Sequence, residues 1–170
     1  MALSSMSGKY YVQMDQRGRI SVPSIIRTSI GDTLYISADQ RSRHHLVIRS
    51  EEGFKAELER IREMCIAQNQ DILEPDELLD EIEDARRDFT AFTQKTSPDN
   101  NGRITVDKDL VEYAQLGGRI IVNGVGDYAE IWNEERFNAN IEEYRKGKEL
   151  RRAKIDAARR ARRGETASEK

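Results

Sequence analysis

The chain has 170 residues, of which 35% are charged, and a mean hydropathy of −0.77. That composition suits one or two small domains with modest cores and long solvated helices, and no apolar run is long enough for a transmembrane helix. The single cysteine, Cys65, excludes an intramolecular disulfide. A formal net charge of −3 conceals segregation. Lys9–Arg49 carries 7 basic and 3 acidic residues, Glu51–Asp99 carries 6 and 15, and Arg145–Arg163 carries 10 and 2. A nucleic-acid partner is therefore open, provided the basic segments share a face.

Residues 1–7 read as an untethered lead-in, without the basic start and apolar run of a secretion signal, and a cytoplasmic location is expected. Lys9–Met14 reads as a short strand entering the turn Asp15-Gln16-Arg17-Gly18-Arg19, and Ile20-Ser21-Val22 leaves it as a second strand. Pro23 ends that strand or starts a helix whose apolar side is Ile25, Ile26 and Ile30. A turn at Gly31-Asp32 precedes a strand at Thr33–Ile36. Residues 38–45 read as a polar loop, and Leu46-Val47-Ile48 returns as a strand. His44 and His45 are the only histidines, and adjacent residues of extended chain point opposite ways. Cys65 stands at no metal-binding spacing from them, so no metal is expected.

Ser50, followed by Glu51, Glu52 and Gly53, starts a helix in which Phe54, Leu58, Ile61 and Cys65 recur at helical spacing. The thiol is thus expected to be buried. After a break at Gln68-Asn69-Gln70, Pro75 begins a second helix with the stripe Leu78, Leu79, Ile82, Ala85, Phe89 and Phe92. The opposite faces are acidic. They read as a solvated cover over a sheet, or alternatively as a contact for a basic surface of another subunit.

At Asp99 the first motif returns. Asp99-Asn100-Asn101-Gly102-Arg103-Ile104-Thr105-Val106 and the stretch from Asp15 to Val22 both fit Asp-x-x-Gly-Arg-Ile-(Ser/Thr)-Val, 84 positions apart. Leu46–Phe54 likewise lines up with Ala129–Phe137 at an offset of 83. Two βα modules joined by an acidic helical insert and followed by a basic tail are expected, over residues 8–53, 96–138, 54–95 and 139–170 respectively. Within the second module Tyr113–Leu116 ends a helix stopped by Gly117-Gly118, Ile120-Ile121-Val122 is a strand, and Ala129–Trp132 is the closing strand, with Asn133 capping the next helix. Gly124-Val125-Gly126 lacks the third glycine and long helix of a nucleotide loop, so it reads as a turn and no cofactor is expected. Beyond Lys146 the tail has good helix propensity but almost no apolar face. It is expected to be exposed and disordered when free, either adding nonspecific phosphate contacts or merely solubilising the chain.

In each motif the glycine (Gly18, Gly102) suits a turn needing positive φ, and the aspartate (Asp15, Asp99) folds back to turn NH groups or pairs with the following arginine. An arginine oriented at a turn tip suits an anion such as phosphate. A purely structural Asp–Arg pair is the alternative.

These residues resemble the MraZ family of bacterial transcriptional regulators, which carry two AbrB-like (SpoVT/AbrB) DNA-binding modules. The resemblance runs from about Met6 to Tyr144. It rests on Gly8, on Asp15-x-Arg17-Gly18-Arg19-x-x-x-Pro23 with Arg27, and on Asp99-x-x-Gly102-Arg103 with Glu112-Tyr113-Ala114-x-Leu116. Most specific is Val122-x-Gly124-Val125-Gly126-Asp127-Tyr128-Ala129-Glu130-Ile131-Trp132. Ala85–Phe92 fits the helix that precedes the second repeat. The resemblance implies an α+β fold of swapped β-hairpins forming one intertwined, barrel-like unit. It further implies a ring of subunits on double-stranded DNA bearing short direct repeats, and repression of the division and cell-wall gene cluster from the nucleoid. Arg17, Arg19, Arg27 and Arg103 would meet DNA, with Asp15, Gly18, Asp99 and Gly102 shaping the turns. Arg17 stands where the family has lysine, Asp107 where it has proline, and Asn100-Asn101 removes charge beside Arg103. The long basic tail exceeds what the resemblance implies.

Two other classes compete. AbrB-like hairpins also occur in antitoxins, though those tend to carry one module. An enzyme with Asp15 and Asp99 as paired acids is disfavoured because each has an arginine within four residues, which keeps it ionised.

Overall fold

Short alternations of apolar and polar residues can only make short strands, and these gain stability by pairing across the two repeats. The computed structural model describes residues 5–168. Its first copy of the repeat runs β1 (Lys9–Gln13), β2 (Arg19–Ser21), α1 (Ser24–Ile30), β3 (Leu34–Ala38) and β4 (Leu46–Arg49). Two longer helices follow, α2 (Glu51–Asn69) and α3 (Pro75–Ala91). The second copy repeats the order as β5 (Thr93–Thr96), β6 (Arg103–Thr105), α4 (Lys108–Ala114), β7 (Arg119–Gly124) and β8 (Ala129–Asn133), and α5 (Glu134–Ser168) ends the chain. The fold is α+β.

Six strands form one antiparallel sheet in the order β1-β7-β8-β4-β3-β5, and β2 pairs with β6 in a separate ribbon. Each copy's first strand pairs with the other copy's third, β1 with β7 and β5 with β3, while the fourth strands meet as β4–β8. Read from either edge, the sheet shows the same order of repeat positions, so the copies are related by an approximate two-fold. At its centre Ile20 faces Ile104 across the ribbon, each 1% exposed. Ile26, Leu34, Ile36, Ile48, Ile120 and Ile131 close the core around them. Burying each such side chain contributes about 1.5–3 kcal/mol.

Local signals set some of the element ends. Ser50 Oγ accepts from Gly53 N at 3.0 Å and so caps α2. Ile61, Cys65, Ile82 and Phe89 bury one another between α2 and α3, and Phe54 stacks on Tyr35 of β3 with ring centroids 4.3 Å apart. The acidic hairpin therefore covers its own sheet. Asp107 takes the backbone of Pro23, with φ −58° and ψ 143° against −52° and 139°, so losing the proline leaves the entry into α4 unchanged.

Several expectations are corrected. Ile25 is 42% exposed, because a seven-residue helix buries only the i, i+4 pair Ile26 and Ile30. Leu79 and Phe92 are likewise exposed, outside the narrower stripe of Ile82 and Phe89. Thr93–Thr96, read mostly as the end of the helical insert, is strand β5, held by pairing with β3. The left-handed residue ending α4 is Gln115, at φ 50°, ahead of the two glycines. Of the expected lead-in, residues 1–4 lie outside the described residues, but Met6 is 3% exposed and exchanges backbone hydrogen bonds with Gly126 of 2.8 and 2.7 Å. It is tethered.

The chain divides into two compact units after Glu134. The second is the remainder of α5, helical through Ser168 and exposed from Lys148 to Gly164, where a disordered tail is expected. Residues 169–170 of that tail lie outside the described residues.

Candidate functional site

An aspartate opening a tight turn can reach the NH groups two and four residues on, and both motifs do this. Asp15 Oδ1 accepts from Arg17 N at 2.8 Å and Arg19 N at 3.0 Å, and its Oδ2 accepts from Arg19 Nε at 2.7 Å. Asp99 Oδ1 accepts from Asn101 N at 2.9 Å and Arg103 N at 3.0 Å, and its Oδ2 accepts from Arg103 Nε at 3.1 Å. Gly18 and Gly102 both sit at φ +73°, where a side chain is strained. The Arg19 and Arg103 backbone NH groups are the chief cause holding their aspartates below the usual carboxylate range. Each carboxylate is thus an anchor. It fixes the guanidinium by Nε and leaves the two outer nitrogens for an external acceptor.

The two turns are locked to one another. Val22 N donates to Gly102 O and Val106 N donates to Gly18 O, both at 3.0 Å. Between them the ribbon sets Arg19 opposite Thr105 and Arg103 opposite Ser21. Both motif arginines therefore stand on one rigid, two-fold element.

Arg17 is exposed beside the first turn. Arg27 comes to the second: its Nε donates to Val22 O at 3.1 Å, and a Cβ placed on Gly102 would lie 2.6 Å from its Cζ. At Gly18 the nearest atom to such a Cβ is Val106 O, at 3.5 Å. The position equivalent to Arg27 in the second copy is Val111. The first turn thus carries Arg17 and Arg19 from its own copy, and the second carries Arg103 together with Arg27 from the other.

Residues 38–45, read as a plain polar loop, hold a second polar cluster. Asp39 Oδ2 accepts from Arg41 N at 3.1 Å and Arg43 N at 2.8 Å, while its Oδ1 accepts from Tyr113 OH at 2.8 Å and His45 N at 3.2 Å. Burial alone would raise the Asp39 pKa, but these donors outweigh it and hold it low. Burial, then the neighbouring Asp39, pushes the Tyr113 hydroxyl up to about 12. His45 is 5% exposed and stacks on Trp132 at 4.0 Å, with burial as the chief cause lowering its pKa. The sequence does carry a signal here, since Asp39-Gln40-Arg41-Ser42-Arg43 differs from Asp15–Arg19 only at Ser42.

Residues 89–161 match the family model described as "MraZ protein, putative antitoxin-like", so the basic helix, expected to exceed the family, lies largely within the match. Curated relatives bear the name transcriptional regulator MraZ. That of Paenarthrobacter aurescens is 28% identical over 80% of this chain and 86% of its own, and that of Mycoplasma mobile 27% over 78% and 82%. The regulator of Corynebacterium kroppenstedtii is 30% identical over 77% of this chain and 82% of its own. None of these names denotes an enzyme, and among the described residues no helix is long and apolar enough to cross a membrane. With that match covering more than three quarters of both chains, this chain belongs to the MraZ family of transcriptional regulators.

Proposed function

We propose that this regulator binds double-stranded DNA sequence-specifically through its two arginine turns. The observation that carries the reading is the pair of interlocked turns, each with an aspartate-anchored arginine and a second guanidinium beside it. Arg17 and Arg27 contact phosphates and set register, while Arg19 and Arg103 read guanine edges in the major groove. The module bounds 8–53 and 96–138 and the AbrB-like swapped-hairpin, barrel-like reading belong to the same proposal, supported by the exchange of first strands between copies. One chain makes few contacts, so copies joined in a ring gain affinity by engaging several short direct repeats together. The output, following the family resemblance, is repression of the division and cell-wall gene cluster by a cytoplasmic, nucleoid-associated protein.

The test is enrichment of genome fragments on the purified protein, followed by gel shift at two salt concentrations. One fragment with evenly spaced repeats should be enriched. Arg19→Ala should weaken binding to it roughly 10- to 150-fold, the worth of one charge-assisted hydrogen bond. Unchanged affinity would remove the turns from the interface.

A further inference from the structure

We propose that Asp39–Arg43 is a third arginine turn, and that with the cavity behind it this turn forms a phosphate-oxyanion site separate from the DNA-binding ribbon. Asp39-Gln40-Arg41-Ser42-Arg43 repeats Asp15-Gln16-Arg17-Gly18-Arg19 at four of its five positions. The backbone repeats as well. In each turn one carboxylate oxygen accepts from the NH groups two and four residues on, and the fourth residue has positive φ, +73° at Gly18 and +52° at Ser42. A serine held in that region is uncommon, and the turn keeps it nonetheless.

One difference points to a ligand. In the first turn the second carboxylate oxygen holds Arg19 Nε, whereas in the third the donors to the other oxygen are Tyr113 OH and His45 N. Arg43 is thereby released from its aspartate, and both Arg41 and Arg43 are exposed. They line a cavity of about 370 Å³ together with Arg49, Arg60, His45 and Tyr128. The size suits a small ligand.

The acids in the wall are largely spoken for. Glu57 is engaged by Arg60 at 2.6 and 3.0 Å and faces Arg49 at 3.6 Å, and Glu130 accepts from Trp132 Nε1 at 2.8 Å. Asp39 has its four donors, leaving Asp127 as the remaining carboxylate. His45 Nδ1 is buried without a hydrogen-bond partner. Two uncommitted guanidinium groups at the mouth, above a wall in which Glu57 is paired with arginines and Asp39 and Glu130 are hydrogen-bonded, suit an oxyanion that takes bidentate hydrogen bonds. Free phosphate, a phosphate monoester and a nucleic-acid backbone share that chemistry.

Trp132 is the chain's sole tryptophan and stacks on His45 in the cavity wall, so its fluorescence reports on this site. Full-length protein is titrated with inorganic phosphate against chloride of equal ionic strength, and separately with random-sequence duplex DNA. Phosphate should shift the fluorescence saturably and raise the melting temperature. The double variant R41A/R43A should lose both responses while melting as the wild type does without phosphate, and R17A/R19A should keep both. No saturable response in the wild type, or its loss in R17A/R19A, overturns the site. A response to duplex DNA alone that R41A/R43A abolishes also overturns it, because the turn would then belong to the DNA surface. None of these arms needs the operator, so failure here is distinguishable from failure of the DNA-binding proposal.

Discussion

Replacing either motif glycine by alanine separates the shape of a turn from the charge gathered at it. Gly18 and Gly102 share φ +73°, so Ala at either should cost roughly 1–2 kcal/mol in the left-handed region. For a chain of this size that lowers the melting temperature by roughly 2–8 °C. Their surroundings differ. The new Cβ at residue 18 meets only Val106 O, at an ordinary 3.5 Å. At residue 102 it would lie 2.6, 2.7 and 2.9 Å from Arg27 Cζ, Nη1 and Nε, so the guanidinium must leave and its 3.1 Å bond to Val22 O breaks. Arg27 is long and partly exposed, and it re-solvates cheaply. Stability is therefore expected to fall about equally in the two variants.

Affinity should not. Gly102→Ala is expected to weaken operator binding by a further factor of roughly 10 to 150, the worth of one charge-assisted contact. Calorimetry and gel shifts on the two variants, on Arg27→Ala and on the Gly102→Ala/Arg27→Ala double variant complete the test. The double variant should bind no worse than Gly102→Ala, since there the Arg27 guanidinium is already displaced. Equal losses of affinity at Gly18 and Gly102, or additive losses in the double variant, would refute the placing of Arg27 on the second turn.

Ile104→Ala deletes a side chain that is 1% exposed and packed against Ile20, and should cost roughly 2–5 kcal/mol in denaturant unfolding. A loss under about 1 kcal/mol would mean the ribbon is not part of the cooperative core. His45 supplies a pH effect with a definite sign. Its folded pKa lies below the ordinary 6.5, with burial the chief cause, so the unfolded chain binds its proton first as pH falls. Of the charged groups facing the ring, Asp39 and Glu130 oppose that shift and Arg43 and Arg49 reinforce it. This contribution to stability is complete above about pH 6.5 and declines as the pH drops toward the folded value. Melting temperatures between pH 7 and 5 should fall less steeply in His45→Gln, and an identical slope would put the titrating group elsewhere.

What could be read from residues alone was what they decide locally. The turns at Asp15 and Asp99 were legible because Asp, Gly and Arg at fixed offsets carry their own hydrogen-bonding logic, and repetition raised the signal. The cap at Ser50 and the buried Cys65 were legible for the same local reason. Strand β5 was not, because Thr93–Thr96 is polar, and only pairing with β3 makes it a strand. Arg27 could be named, but its destination could not, since its neighbour Gly102 is 75 positions away and belongs to the other copy. The turn at Asp39 was hidden by its serine, because the positive φ that glycine would advertise is imposed on Ser42 instead.

The exchange of strands between copies changes how the repeats should be compared. Aligned position by position, the second turn looks impoverished: Asn101 replaces Arg17, and Val111 replaces Arg27. Yet the approximate two-fold brings α1 of the first copy to the turn of the second, so one copy's helix supplies the cation the other's turn has lost. The first turn holds its second guanidinium within its own loop and faces Val111's copy without needing one there. Because both turns ride on the same ribbon, a change in either copy acts on a surface the two build jointly. The unit on which such substitutions act is the turn plus the helix delivered to it, and a loop that looks weak in the sequence can be a full partner on the surface.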